Sequence, residues 1–162
     1  MIIDYMKTPL YRMTFQNSRI RMWVEKQCVG RVLNLFAGET ELAVNELRND
    51  IRSDTTAHYH MDAVDFITEW SGEKFNTVVL DPPYSYRKSM EMYDGASCSR
   101  FNLLKNRLWR VLKKDARVIT FGYHSVSMGQ KRGFVQERAL LMSHGGAIHD
   151  TIAVVEVWKG TE

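Results

Sequence analysis

The four residues Asp81-Pro82-Pro83-Tyr84 read most directly as chemistry in this chain. Asp81 brings a carboxylate acceptor. The two prolines fix φ and remove two backbone donors, which leaves carbonyl acceptors on a stiff turn. Such a group suits an amine whose lone pair is delocalised into an aromatic ring. Accepting hydrogen bonds from that nitrogen makes it more tetrahedral and more nucleophilic. Tyr84 offers a face on which the flat ring could stack, a contact worth about 1–3 kcal/mol. Read as structure alone, the same residues would be a strand that stops at Pro-Pro with Tyr84 packed in the core. Directly downstream, Ser85-Tyr86-Arg87-Lys88 combines a hydroxyl, an aromatic and two cations, the residue types that touch phosphates and bases. Tyr86, Arg87 and Lys88 are therefore candidate substrate contacts, the competing reading being a solvated loop.

These residues need a scaffold, and the apolar runs supply one. Val32 to Phe36 is a short, partly β-branched run that ends at Ala37-Gly38. Thr77 to Leu80 ends at Asp81, and Arg117 to Phe121 ends at Gly122. Each reads as a buried strand closed by a turn. Between the second and third runs, Phe101 to Leu112 places its leucines and Val111 near helical spacing, which predicts a crossover helix and parallel strands. Two β-rich stretches, Val135 to Met142 and Thr151 to Trp158, flank Gly145-Gly146 and predict a closing antiparallel hairpin. The expected fold is α/β, a Rossmann-like, mostly parallel sheet with helices on both faces and a C-terminal antiparallel hairpin. Ligands of such sheets bind beyond the carboxyl ends of the strands, where Asn34 to Gly38, Asp81 to Tyr84 and Gly122 to His124 would meet. His124 is a candidate to line that pocket, without an acid–base role.

At this point the motifs resemble a family. Leu33-Asn34-Leu35-Phe36-Ala37-Gly38-Glu39-Thr40 is similar to the first cofactor motif of class I S-adenosylmethionine methyltransferases, with one glycine where that motif normally has more. Asp81-Pro82-Pro83-Tyr84 resembles the fourth motif of the amino-methyltransferases. The resemblance implies the class I methyltransferase fold and S-adenosylmethionine as cofactor, bound by Asn34, Phe36, Ala37 and Gly38. A ribose-binding acid is expected roughly 20 residues past the start of the turn. Glu46, Asp50 and Asp54 compete for that role, and Asp50 is adopted. Glu41 to Ile51 leaves room for only a truncated helix, with the second strand ending near Asn49-Asp50. His60 to Ile67 resembles the third motif, in which Asp62, followed by Ala63, accepts from the cofactor's adenine amine; Asp62 serves equally well as the N-cap of a helix running to Trp70.

The implied reaction is methyl transfer to an exocyclic amine of a nucleic-acid base, with Asp81, Pro82, Pro83 and Tyr84 catalytic and Asp81 also near the cofactor. Adenine N6 is the first choice. Guanine N2 of ribosomal RNA is the runner-up, and a catalytically silent cofactor-binding subunit is the reading from another class. Protein glutamine N5 is disfavoured because that class resembles Asn-Pro-Pro-Tyr, and a dinucleotide oxidoreductase lacks its GxGxxG. Residues 1–162 are expected to form a single domain without a separate target-recognition domain. That points to a structured RNA substrate, a protein partner supplying recognition, or relaxed DNA specificity.

Composition fits these expectations. With 44% hydrophobic and 25% charged residues and a net charge of +3, the chain reads as globular and mildly basic, compatible with a polyanionic partner such as DNA or RNA. Cys28 and Cys98 form no metal-ligand spacing and no disulfide framework, so no metal is expected. No apolar run approaches the roughly 18 residues of a membrane span, and the N-terminus lacks a signal-peptide core, so a cytoplasmic protein is predicted.

Overall fold

The computed structural model describes residues 1–83, 100–146 and 149–160. They form one seven-stranded sheet. In chain order its strands are β1 (Ile2–Lys7), β2 (Val32–Asn34), β3 (Glu46–Arg48), β4 (Phe75–Leu80), β5 (Leu112–Gly122), β6 (Phe134–Ser143) and β7 (Thr151–Trp158). Their order across the sheet is β1-β6-β7-β5-β4-β2-β3. All run parallel except β7, which pairs antiparallel with both β5 and β6. The predicted mostly parallel sheet and its closing hairpin are both present.

Helices cover both faces, as expected. α2 (Ala63–Glu69) and α3 (Arg100–Arg107) pack on one face, over a core that includes Leu33, Val78, Leu80 and Val118. α1 (Ser18–Gln27) covers the other through Ile20 and Val24, against Val32, Val79, Ile119, Phe121 and Leu140. The alternation of Val78 with Val79, and of Val118 with Ile119, supplies both cores from the same strands. α2 is fastened by aromatic contacts. Phe66 stacks on Trp70 at 5.2 Å between ring centroids, Trp70 meets Phe75 at 5.3 Å, and Tyr59 meets Phe66 edge-on at 5.4 Å.

Three local expectations change, and an N-terminal strand and helix are added. The crossover helix ends at Arg107, and a 3-10 turn over Leu108–Val111 leads straight into β5, so Leu108, Val111 and Leu112 reach the core without belonging to an α-helix. Strand β2 stops at Asn34 rather than Phe36, because Leu35 and Phe36 already turn toward the strand-end loop. Residues 35–45 contain turns and bends and no helix, so the expected truncation is complete. The N-terminal strand and helix had not been read from the pattern. β1 sits at the sheet edge beside β6, and its Asp4 accepts from Trp23 Nε1 of α1 at 2.7 Å and from Arg138 of β6 at 3.0 Å. Those two donors, Trp23 foremost, hold the Asp4 carboxyl below its ordinary range.

No helix among the described residues is long and apolar enough to cross a membrane.

Candidate active site

The carboxyl ends of β1 to β6 and the start of β7 share one edge of the sheet, and a cavity of about 420 Å³ opens there. That lies within the usual range of small-molecule sites, roughly 300–1,000 Å³. Its wall carries Phe36, Ala37 and Gly38 after β2, Asp50 after β3, Asp62 and Ala63 at the start of α2, and Asp81, Pro82 and Pro83 after β4. Residues distant in sequence are thus brought together because parallel strands end side by side.

The loop after β2 is shaped by Gly38, whose φ is +57°, a conformation an L side chain adopts only under strain. Its N–H donates to Asp50 Oδ2 at 2.8 Å, while the Arg52 N–H donates to Asp50 Oδ1 at 2.9 Å. The two bonds fix the Asp50 carboxylate on the wall and leave it acceptor capacity for hydroxyl donors. Its two competitors lie elsewhere. Glu46 is buried behind β2, accepting from Asn34 Nδ2 at 3.2 Å and from the Leu42 N–H at 3.3 Å, and burial raises its carboxyl above the ordinary range. Asp54 is exposed and paired with Arg52 at 2.7 Å, which lowers its carboxyl.

Asp62 does what a helix N-cap does. Its Oδ1 accepts from the N–H groups of Val64 at 2.8 Å and Asp65 at 3.4 Å. The same carboxylate pairs with Arg100 at the start of α3, whose Nε donates to Oδ2 at 3.2 Å. Oδ2 keeps acceptor capacity beside that bond. Asp81 is half-buried, Pro82 buried and Pro83 exposed. Tyr84, Tyr86, Arg87 and Lys88 lie outside the described residues.

Two sequence candidates fall off the wall. Asn34 is fully buried, bonded to Glu46 and pointed to the sheet face opposite Leu33 and Leu35, since neighbours on a strand alternate. His124 is exposed and does not line the cavity; Tyr123 does, as does Thr151 at the start of β7.

Sequence reasoning missed several residues that build the site. Asn49, fully buried, bonds Met61 in both directions: its Nδ2 donates to the Met61 carbonyl at 2.9 Å, and its Oδ1 accepts from the Met61 N–H at 3.2 Å. Nδ2 also reaches the Leu35 carbonyl at 3.3 Å. One amide therefore ties together the loops that carry Gly38, Asp50 and Asp62. Its only sequence signal was a polar residue at the end of a short strand. Ile51, 67% exposed, and Met61 give the cavity an apolar wall between the acids. Below the loop after β5, buried Glu156 of β7 accepts from three consecutive N–H groups, of Ser127 at 3.3 Å, Met128 at 2.7 Å and Gly129 at 2.9 Å. Among the described residues no cluster of His, Cys, Asp and Glu could hold a metal ion.

This arrangement, a parallel sheet closed by a hairpin with its cavity on the strand ends, is found in solved structures. NodS, an N-methyltransferase from Bradyrhizobium japonicum WM9, superposes with a TM-score of 0.63 at 10% identity, covering 94% of this chain and 100% of its own. The chain has the class I methyltransferase fold. TrmN from Thermus thermophilus gives 0.60 at 13% identity over 87% of this chain and 48% of its own. The Pyrococcus abyssi tRNA (uracil-54, C5)-methyltransferase, solved with S-adenosyl-L-homocysteine, gives 0.57 at 13% identity over 93% of this chain and 40% of its own. The chain thus matches all of NodS and about half or less of the other two. No family model matches the sequence, and no curated protein does.

Proposed function

We propose that this chain is an S-adenosylmethionine-dependent methyltransferase acting on an exocyclic amino group of a nucleic-acid base, adenine N6 first. The observation that carries the reading is the shared cavity wall, where the Gly38 turn, Asp50, Asp62 and Asp81-Pro82-Pro83 meet. The residues fit the cofactor. Gly38 gives a left-handed turn with its N–H already bonded to Asp50, Asp50 retains acceptor capacity for ribose hydroxyls, and Ile51 and Met61 provide an apolar surface for a flat ring. Bound there, S-adenosylmethionine supplies an electrophilic methyl group on a sulfonium, which asks of the protein only orientation and electrostatics.

In this reading Asp81 accepts a hydrogen bond from the target amine and turns its lone pair toward the methyl group, the carbonyls beside Pro82 and Pro83 accept its second hydrogen, and Tyr84 stacks the base. Tyr86, Arg87 and Lys88 extend the contact along the polymer. Asp62 accepts from the cofactor's adenine amine through Oδ2 while its other oxygen caps α2. A nucleic-acid target is supported by the Asp-Pro-Pro-Tyr composition and the basic balance of the chain, and one structural neighbour is by name a tRNA methyltransferase.

The test pairs two variants. Asp81→Ala should lower turnover by about a hundredfold or more while calorimetry finds cofactor affinity within about twofold of wild type, the outcome for a group that acts chiefly on the acceptor. Asp50→Ala should weaken cofactor binding about tenfold or more, the loss of charge-assisted hydrogen bonds. Retained turnover in Asp81→Ala would sink the mechanism.

A further inference from the structure

The segment between β1 and α1 crosses the carboxyl edge of the sheet and forms one wall of the cavity through Leu10, Arg12, Met13, Thr14 and Phe15. Both of its ends are fixed. At the start, the Thr8 N–H donates to the Ser143 carbonyl at 2.9 Å, and the Thr8 carbonyl accepts from His144 Nδ1 at 2.9 Å. The other nitrogen of that ring, Nε2, is hydrogen-bonded to Thr151 Oγ1 at 2.8 Å. At the far end, Asn17 caps α1 through Oδ1 and bonds Thr8 Oγ1 through Nδ2. The arch is thus held to the sheet and to its own helix.

Two arginines line the cavity, and their surroundings differ. Arg52 is engaged by Asp54 through Nε at 3.0 Å and a terminal nitrogen at 2.7 Å, and by Glu39 at 3.4 Å. Arg12 is exposed and has no hydrogen bond or ion pair among the described residues. The three acids of the wall are already engaged: Asp50 by two N–H groups, Asp62 by α2 and Arg100, and Asp81 by a contact of its own. A guanidinium without a counter-charge, facing a cavity, is a planar fork of donors matched to an oxyanion. Tyr123 lies on the same wall, 47% exposed, its ring inclined to that of His149 with centroids 6.1 Å apart. A cation and an exposed aromatic on one groove are the means by which single-stranded nucleic acid is held, phosphate on the one and base on the other.

We propose that Arg12 binds a backbone phosphate of the nucleic-acid strand beside the target base, with Tyr123 stacking an adjoining base. This rests on the function proposed above and adds to it a substrate track along the N-terminal arch. The other oxyanion such a cavity would receive is the carboxylate of the cofactor, and the experiment separates the two.

Binding of a fluorescent mixed-sequence single-stranded oligonucleotide to the full chain is measured by anisotropy from about 50 to 200 mM salt. Wild type, Arg12→Gln, Arg12→Lys and Tyr123→Ala are compared, and cofactor affinity is followed by calorimetry. Arg12→Gln should reduce the log–log salt slope by about 0.7, one phosphate contact on a single strand. It should weaken all sequences alike and leave cofactor affinity within about twofold. Arg12→Lys should keep most of the slope, and Tyr123→Ala should weaken binding about tenfold at unchanged slope. An unchanged slope in Arg12→Gln overturns the proposal. So does loss of cofactor affinity with oligonucleotide binding intact, which would give the oxyanion to the cofactor. A wild type that shows the arginine-dependent slope but transfers no methyl group contradicts the reaction and upholds the Arg12 contact; methyl transfer with an unaltered slope does the reverse.

Discussion

At the residue scale, the strand-end turn is the most exacting part of the site. Gly38→Ala places a Cβ in ordinary contact with Met13, whose Sδ would be 3.5 Å away, so space does not forbid it. The penalty comes from the backbone, since φ of +57° costs an alanine about 1–2 kcal/mol. Chemical denaturation should register that loss. Equal stability of the two proteins would show that the turn relaxes without strain. Cys28 is a different case: burial pushes its thiol up to about 12, and the Glu46 and Glu25 carboxylates add to the shift. At pH 8 its thiolate is then roughly a thousandfold scarcer than that of a thiol in the unfolded chain. The raised value also means that its contribution to stability is present below pH 9 and is lost as pH rises toward 12. In a Cys98→Ser background, native protein should react with a thiol reagent at pH 8 far more slowly than the unfolded chain, and labelling at the unfolded rate would contradict the raised value.

At the element scale, the motifs that carry chemistry were legible because parallel strands must end somewhere, and here they end at Asn34, Leu80 and Gly122, just ahead of Gly38, Asp81 and Tyr123. The strands themselves announced their cores through Val-Val and Val-Ile alternation. What the sequence hid was the cross-bracing between loops. Nothing in Arg48-Asn49-Asp50 marks Asn49 rather than Asp50 as the residue that joins three loops, because its partners are main-chain groups of Leu35 and Met61, far off in sequence. The same holds for Glu156, an acid inside a β-branched strand that a pattern reader assigns to solvent but that is 1% exposed. Glu156→Ala leaves three backbone donors without their carboxylate and should destabilise the fold by on the order of 3 kcal/mol, with the loop before β6 losing amide protection first. A shift in melting midpoint too small to measure would show that water replaces the carboxylate.

At the scale of the whole molecule, the sheet order β1-β6-β7-β5-β4-β2-β3 sets a cavity near its middle and lets an N-terminal arch close one side. β1 and α1 escaped the pattern reading because Ile2 to Lys7 is mostly exposed and mixes apolar with charged residues, so its pairing with β6 is decided by tertiary contacts. Asn34 and His124, by contrast, each sit one position from a cavity residue, Leu35 and Tyr123. The account rests in the end on the reaction. Labelled methyl from S-adenosylmethionine is offered to total RNA and to unmethylated genomic DNA, with wild type and Asp81→Ala in parallel, and the products are resolved as nucleosides. The account predicts label in an N6-methylated adenine nucleoside of one polymer, absent with the variant. Label in neither polymer while the cofactor binds would contradict it and leave a cofactor-binding subunit.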